Sequence, residues 1–441
     1  MAPDAVVIGG GVAGLAAACA LAEAGARVLV LEARGTLGGR ATAFRDRETG
    51  ELVDNGQHVL LGCYTETFRL LRRIGAEQNV RVQPALEVPF LDVAGRRSVL
   101  RCPSWPSPFH LLAGVMGWRA LTWSDRLRVL ALAPALLKMQ RGAEVATDAE
   151  TVAAWLARHG QRGRIREWLW EPLAVAALNQ SPEEAAARPF TRVLARMFGG
   201  APGSASLALP TVPLHEMYAT PARRFLEARG GEVRLHALAR VRVERERVAG
   251  VDVRGESIAS GTVIASVPWH DIRTLFTGKV APLVRLLASA DALASRPIVT
   301  VNLWYDRAVM DDPFVGLPGR ATQWVFDKRQ AFGERASHLS LVSSDAGALV
   351  SRSTADLVAQ AARDVAGAIP GARGATLLRG TAVREKHATF SLAPGQPGRP
   401  PTRTAVAGLW LAGDWIDTGL PGTIESAALS GHRAASGVQA G

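Results

Sequence analysis

Residues 5–8 form a short unbroken apolar run, as a parallel strand buried on both faces does. A glycine-rich turn follows over 9–14. Residues 12–24 carry small apolar side chains at helical spacing, and Gly25 stops the helix. A second apolar run, 27–31, closes on Glu32. The pattern predicts a complete βαβ unit within about thirty residues.

Downstream the two periods mix. A helix is expected over 65–75 and a hairpin over 88–100, turning at Ala94-Gly95. The proline-broken segment 102–108 leads into a mostly helical stretch over 109–197. Residues 199–213, rich in Gly, Ala and Pro, read as a crossing loop. A helix near 217–229 precedes alternating strands over 232–266, which turn near Glu246-Arg247 and Gly255-Glu256. Strands at 298–305, 322–326 and 338–343 and a helix at 353–368 come next. A Pro/Gly/Arg linker at 394–403, a buried strand at 409–412 and a helix at about 424–436 complete the pattern. A chain of 441 residues is too long for one core. The expected class is α/β. A Rossmann-like nucleotide domain is assembled from 1–62, 208–290 and 404–441. An inserted α+β domain comes from 63–207 and 291–403, with 105–200 as a helical cap.

Composition narrows the partners. Hydrophobic residues at 48% and charged residues at 21% exclude a disordered chain. The net charge of +11 is nearly all Arg, scattered without a block of five. With no zinc-finger spacing or aromatic RNA-binding run, it argues against nucleic acid. Cys19, Cys63 and Cys102 are far apart, so neither a disulfide framework nor a metal site is expected, and they suit a reducing cytoplasm. The apolar start lacks a basic leader region and is broken by glycines, so it reads as strand and helix rather than a signal peptide. The chain has no run of 18 uncharged apolar residues, so no helix is expected to span a bilayer. Residues 105–139 carry Trp105, Trp118 and Trp123 with Arg119, Arg126, Arg128 and Lys138. That mixture fits a peripheral contact with anionic membrane or a cap whose apolar face is core.

The candidate chemistry starts at Gly9-x-Gly11-x-x-Gly14, with Glu32 eighteen residues on. Gly9 permits a tight turn, Gly11 lets the backbone approach a pyrophosphate, and Gly14 allows close helix–strand packing. The helix N-terminus favours the phosphates, and Glu32 accepts from a ribose. These residues suit NAD and FAD alike.

Gly38-Gly39-Arg40 after the second strand, and Gly413-Asp414 after the last one, resemble the FAD-dependent amine oxidases and carotenoid desaturases. The resemblance implies a two-dinucleotide-binding-domain flavoprotein. It places residues 37–40 along the pyrophosphate and ribityl chain, Asp414 on the ribityl hydroxyls and the Val241 backbone on the adenine. With the glycine motif, it makes FAD contacts of Gly9, Gly11, Val12, Ala13, Gly14, Glu32, Ala33, Arg34, Gly38, Gly39, Arg40, Gly56, Gln57, His58, Val241, Gly413, Asp414, Gly422, Thr423 and Ile424.

Several stretches narrow it further: Asp54-Asn55-Gly56-Gln57-His58, residues 108–112 and 121–126, Leu178-Asn179-Gln180-Ser181-Pro182, Gln323-Trp324-Val325-Phe326 and Pro421-Gly422-Thr423-Ile424-Glu425. They look like phytoene desaturases, and most like the hydroxysqualene dehydroxylase group. That implies a long apolar isoprenoid substrate of squalene or hopanoid synthesis, with the electron donor for the flavin left open. Alternatives are a carotenoid-type desaturase, an amine oxidase, and a flavin-free lipid carrier on the same fold. Asp54 and His58 are the candidate proton donors, with Tyr64 a third; either of the first two can equally be a structural group at a turn.

Overall fold

The computed structural model describes residues 2–440 except 202, 279, 335 and 336. Its first layer is a five-stranded parallel sheet in the order Glu232–Arg234, Val28–Leu31, Ala5–Ile8, Val263–Ala265, Leu409–Leu411. The four residues of each of the first two strands in the chain are buried, as helices on both faces require. The chain moves to opposite sides of Ala5–Ile8 for its two neighbours, so a topological switch point lies at that strand's C-terminal end, where open α/β sheets bind ligands. The helix Val12–Glu23 packs there against the C-terminal helix Ile424–Ala440. Contact is close because Gly431 has no side chain: a Cβ would fall 2.2 Å from the Ala13 carbonyl oxygen. An antiparallel meander, Ala239–Glu244, Arg247–Val253 and Glu256–Ile258, flanks the sheet. Its two turns use left-handed residues, Arg245 and Glu246, then Arg254 and Gly255.

The second layer is a seven-stranded sheet in the order Leu377–Phe390, Ser295–Tyr305, Ser337–Ser343, Trp324–Asp327, Phe314–Gly316, Glu87–Leu91, Arg97–Arg101. One face carries Val299, Val301, Leu303 and Tyr305 against the helix Thr354–Ala368. The other face meets the hairpin Ala43–Arg45/Leu52–Asp54 and a helical cap. Six α-helices between Phe109 and Gly199 make that cap, interrupted by turns and by a π-helical segment at Arg166–Trp170.

The fold departs from the expected pattern at three places. The stretch 199–213 is not only a loop: Leu207–Pro210 is a strand between Leu60–Leu61 and Val80–Val82. Its alternating leucines serve a small sheet that the Gly/Ala/Pro composition hides. The 14-residue strand Leu377–Phe390 has no alternation to announce it, because it borrows its pairing from Ser295–Tyr305. Trp118 does not face outward. It is 1% exposed, with its ring centroid 5.2 Å from Phe90 and 6.1 Å from Trp168. Trp105, Phe109, Trp123, Leu127, Leu130 and Leu137 are exposed. Among the described residues, no helix is long and apolar enough to cross a membrane.

Candidate functional site: a dinucleotide cleft

The glycine turn is built by close backbone approach. Gly9 has φ +106°, and a Cβ on it would lie 2.3 Å from the Ser266 carbonyl oxygen. A Cβ on Gly14 would strike the Gly9 carbonyl oxygen at 1.9 Å. Gly11 differs. Its missing Cβ would meet only the Gly39 Cα, at 3.9 Å, so the bare backbones of both loops face one another across the cleft. Gly39 also has a left-handed φ of +59°. Two glycine surfaces at a helix N-terminus form a cradle for a pyrophosphate.

Glu32 is buried at the end of its strand. Oε2 accepts from the Gly10 N–H at 2.7 Å, and Oε1 accepts from the Arg34 N–H at 2.8 Å. Both oxygens keep lone pairs for a ribose. Arg40 donates to Asp414 Oδ1 at 2.5 Å and to the Ala388 carbonyl at 2.8 Å, tying the two motifs together. Tyr218 was not foreseen. Its hydroxyl lies 2.7 Å from the Gly38 oxygen and 3.0 Å from that of Ala41, bracing the second glycine loop from the π-helical segment His215–Ala219. Thr423 caps the C-terminal helix by accepting from the Ser426 N–H at 3.2 Å, and that helix N-terminus opens onto the cleft.

One continuous cleft is lined by Gly9, Gly11, Val12, Ala13, Glu32, Ala33, Arg34, Gly38, Gly39, Arg40, His58, Gly413, Asp414, Gly422, Thr423 and Ile424. Gly14, Gly56 and Gln57 sit behind this wall. Val241 is a correction: it is buried, and its carbonyl oxygen is taken by the Thr277 N–H at 3.2 Å. The cleft edge from that strand is Ala237, Leu238, Ala239 and Arg240. The segment 266–268 also lines the cleft, and only its place after the strand Val263–Ala265 could have signalled it.

The proton-donor candidates also change. Asp54 does not line the cleft. Its Oδ1 accepts from the Leu214 N–H at 3.0 Å, and its Oδ2 pairs with Lys328 Nζ at 2.7 Å, both side chains 1% exposed. Lys328 donates further to Gln57 Oε1 at 3.0 Å and places its ammonium 3.5 Å from the Phe332 ring centroid. Burial lowers the Lys328 pKa, and the Asp54 charge opposes that. Asp54 is thus the buried partner of a cation rather than a free acid. His58 does line the cleft. Its Nδ1 lies 2.7 Å from the Gly56 carbonyl, so Nδ1 carries the hydrogen. Burial holds the ring's pKa below its ordinary value. In the neutral ring Nε2 is an acceptor and has no proton to give. Burial raises the Tyr64 hydroxyl pKa, so Tyr64 keeps its proton beside Thr423; it does not line the cleft.

A family model for flavin-containing amine oxidoreductases matches residues 12–439, and the chain belongs to that family. The protein is an FAD-dependent oxidoreductase, and the cleft has the glycine turns and carboxylate that a dinucleotide needs. Within the family the chain is similar to the hydroxysqualene dehydroxylase of Sinorhizobium fredii, at 31% identity over 97% of this chain and 96% of that one. The hydroxysqualene dehydroxylase of Zymomonas mobilis is 30% identical over 97% of each chain. The 15-cis-phytoene desaturase of an Oncidium hybrid is 25% identical over 99% of this chain and 77% of that one. The fold is shared with an oxidoreductase from Methanosarcina mazei, with TM-score 0.74 and 18% identity over 98% and 99% of the two chains.

Proposed function

We propose that the protein reductively dehydroxylates hydroxysqualene to squalene. The end-to-end kinship with two hydroxysqualene dehydroxylases carries this reading. In the reaction an allylic C–O bond breaks and a C–H bond forms at the same carbon. A hydride brings the two electrons, and one proton converts the departing hydroxyl to water. Bound FAD, when reduced, is a hydride source. The two glycine loops would hold the cofactor, and excluding water from the reacting carbon would let a transient allylic cation escape recapture. The Asp54 carboxyl is committed to Lys328 rather than to that proton transfer.

A carotenoid-type desaturase is the second reading, favoured by the phytoene desaturase match across nearly the whole chain. It moves hydride from substrate to cofactor and has no leaving hydroxyl. The two readings differ in the redox state they need. Anaerobic holoenzyme, chemically reduced, is expected to convert hydroxysqualene to squalene, followed by gas chromatography. Desaturation of phytoene by the oxidised holoenzyme, with no squalene formed under reduction, would reverse the choice.

The exposed apolar residues of the cap carry a second proposal, contact with an anionic bilayer. Trp105 is 56% and Trp123 67% exposed, and Arg119 and Lys138 are exposed beside them. Tryptophan suits the headgroup level, and the cations suit anionic lipid. The protein is expected to co-sediment with phosphatidylserine-containing liposomes, less so as salt rises. Trp105→Ala with Trp123→Ala should weaken that binding while the buried Trp118 stays in place. Wild-type protein that ignores such liposomes at low salt would leave the cap a purely internal structure.

A further inference from the structure

Glu425 is the second residue of the helix Ile424–Ala440, and it is 1% exposed. Five donors address its carboxylate. Oε2 accepts from the Thr67 N–H and from the Thr67 hydroxyl, each at 2.9 Å. Oε1 accepts from the Glu66 N–H at 3.1 Å, the Thr65 hydroxyl at 3.4 Å and Arg196 Nη1 at 3.3 Å. Tyr64 gives the helix Thr65–Arg73 no side-chain cap, so Glu425 serves that end across 358 positions. A capping carboxylate at a surface is screened by water and salt. This one is buried between two helix N-termini, where screening is weak.

Its place bears on the cofactor. Thr423 and Ile424 line the cleft, and Glu425 follows about 1.5 Å further along the helix axis. A full negative charge thus stands in the first turn of the helix whose positive end opens onto the cleft. The helix end alone favours negative charge there, and the carboxylate offsets it. Its field reaches the neighbours of Thr423: after burial and Cys63, Glu425 raises the pKa of the Tyr64 hydroxyl, which meets the Thr423 side chain. Among the described residues, Arg196 is the one cation in ion-pair contact with Glu425, and its side chain is 39% exposed, so solvent weakens its compensation. Glu66, next to this cluster, is paired with His432 at 2.6 Å and Arg69 at 3.5 Å.

We propose that Glu425 lowers the reduction potential of the bound flavin. Reduction adds two electrons beside this wall, and a buried anion disfavours them by Coulomb repulsion in a medium that screens poorly. A lower potential makes reduced flavin a stronger hydride donor, as reductive dehydroxylation requires. The electrostatics are the same for either direction of hydride transfer.

Midpoint potentials of FAD-loaded enzyme, measured without substrate by slow anaerobic reduction against a reference dye, read the effect. Glu425→Gln removes the charge and keeps an acceptor oxygen. It should raise the potential, with the equilibrium constant for reduction up about tenfold, or about 30 mV for a two-electron couple. Arg196→Gln removes the compensating cation at a partly exposed site and should lower the potential by a smaller amount. Opposite signs mark an effect of charge, which a damaged helix cap does not produce. A potential that Glu425→Gln leaves unchanged or lowers overturns the assignment, even where the melting temperature falls, and so does a rise in Arg196→Gln. Should Glu425→Gln yield no holoenzyme, a fall in Arg196→Gln supports the assignment and any other result overturns it. With no isoprenoid present, failure here leaves the reaction reading intact, and failure to form squalene leaves the measured potentials standing.

Discussion

Lys328→Met is expected to destabilise the protein by about 3–5 kcal/mol, because it strands a buried carboxylate. The lysine is 1% exposed, and its ammonium is fully engaged by Asp54, Gln57 and the Phe332 ring. These contacts join segments far apart in the chain: Lys328 follows a strand of the second sheet, whereas Asp54 also accepts from Leu214 beside the cofactor layer. Removing only the cation leaves the Asp54 carboxyl without its ion-pair partner in an apolar junction. The urea midpoint, followed by near-ultraviolet circular dichroism, reads the effect. Adding Asp54→Leu should recover part of the loss, since replacing both charges avoids the unpaired one. A single variant with a wild-type midpoint would show that the pair holds nothing together.

Glu32→Ala is expected to weaken FAD binding roughly 10- to 100-fold. A hydrogen bond to a charged group contributes about 1.5–3 kcal/mol, and each 1.4 kcal/mol is tenfold in affinity. The loss has two sources: the ribose forfeits its carboxylate, and the Gly10 and Arg34 N–H groups lose the acceptor that shapes the turn. Glu32→Gln retains one acceptor oxygen and should lie between. Titration of apoprotein with FAD measures it, and an unchanged dissociation constant in Glu32→Ala would remove Glu32 from the site.

The nucleotide cleft was legible because its signals are local. Gly9, Gly11, Gly14 and Glu32 lie within one βαβ unit, and each glycine answers to a specific close approach. Gly413-Asp414 was legible for the same reason, following directly on a buried strand. What lay hidden was non-local. Tyr218 reaches Gly38 across 180 positions, and Lys328 reaches Asp54 across 274; no spacing rule links them. Asp54 and His58 stand out in the sequence as candidate proton donors, yet Asp54 is committed to Lys328 and the His58 ring to the Gly56 carbonyl, and the sequence does not announce that Lys328 is the partner. Val241 illustrates the narrower error: the strand was recognised, but which of its residues reaches the cleft edge depends on how the meander packs against Phe276 and Thr277.

The order of strands in the parallel sheet also constrains biosynthesis. Val263–Ala265 is paired on one side by Ala5–Ile8, but its other neighbour, Leu409–Leu411, is translated only after residues 266–408. At 5–20 residues per second that interval lasts roughly 7–30 s, during which a hydrophobic sheet edge stays open in the nascent chain. Gly413, Asp414, Gly422 and Thr423 arrive later still, so the cleft cannot be closed from both sides until residue 423 has been made. Capture of the cofactor by both walls therefore waits for the strand Leu409–Leu411 and the loop that follows it.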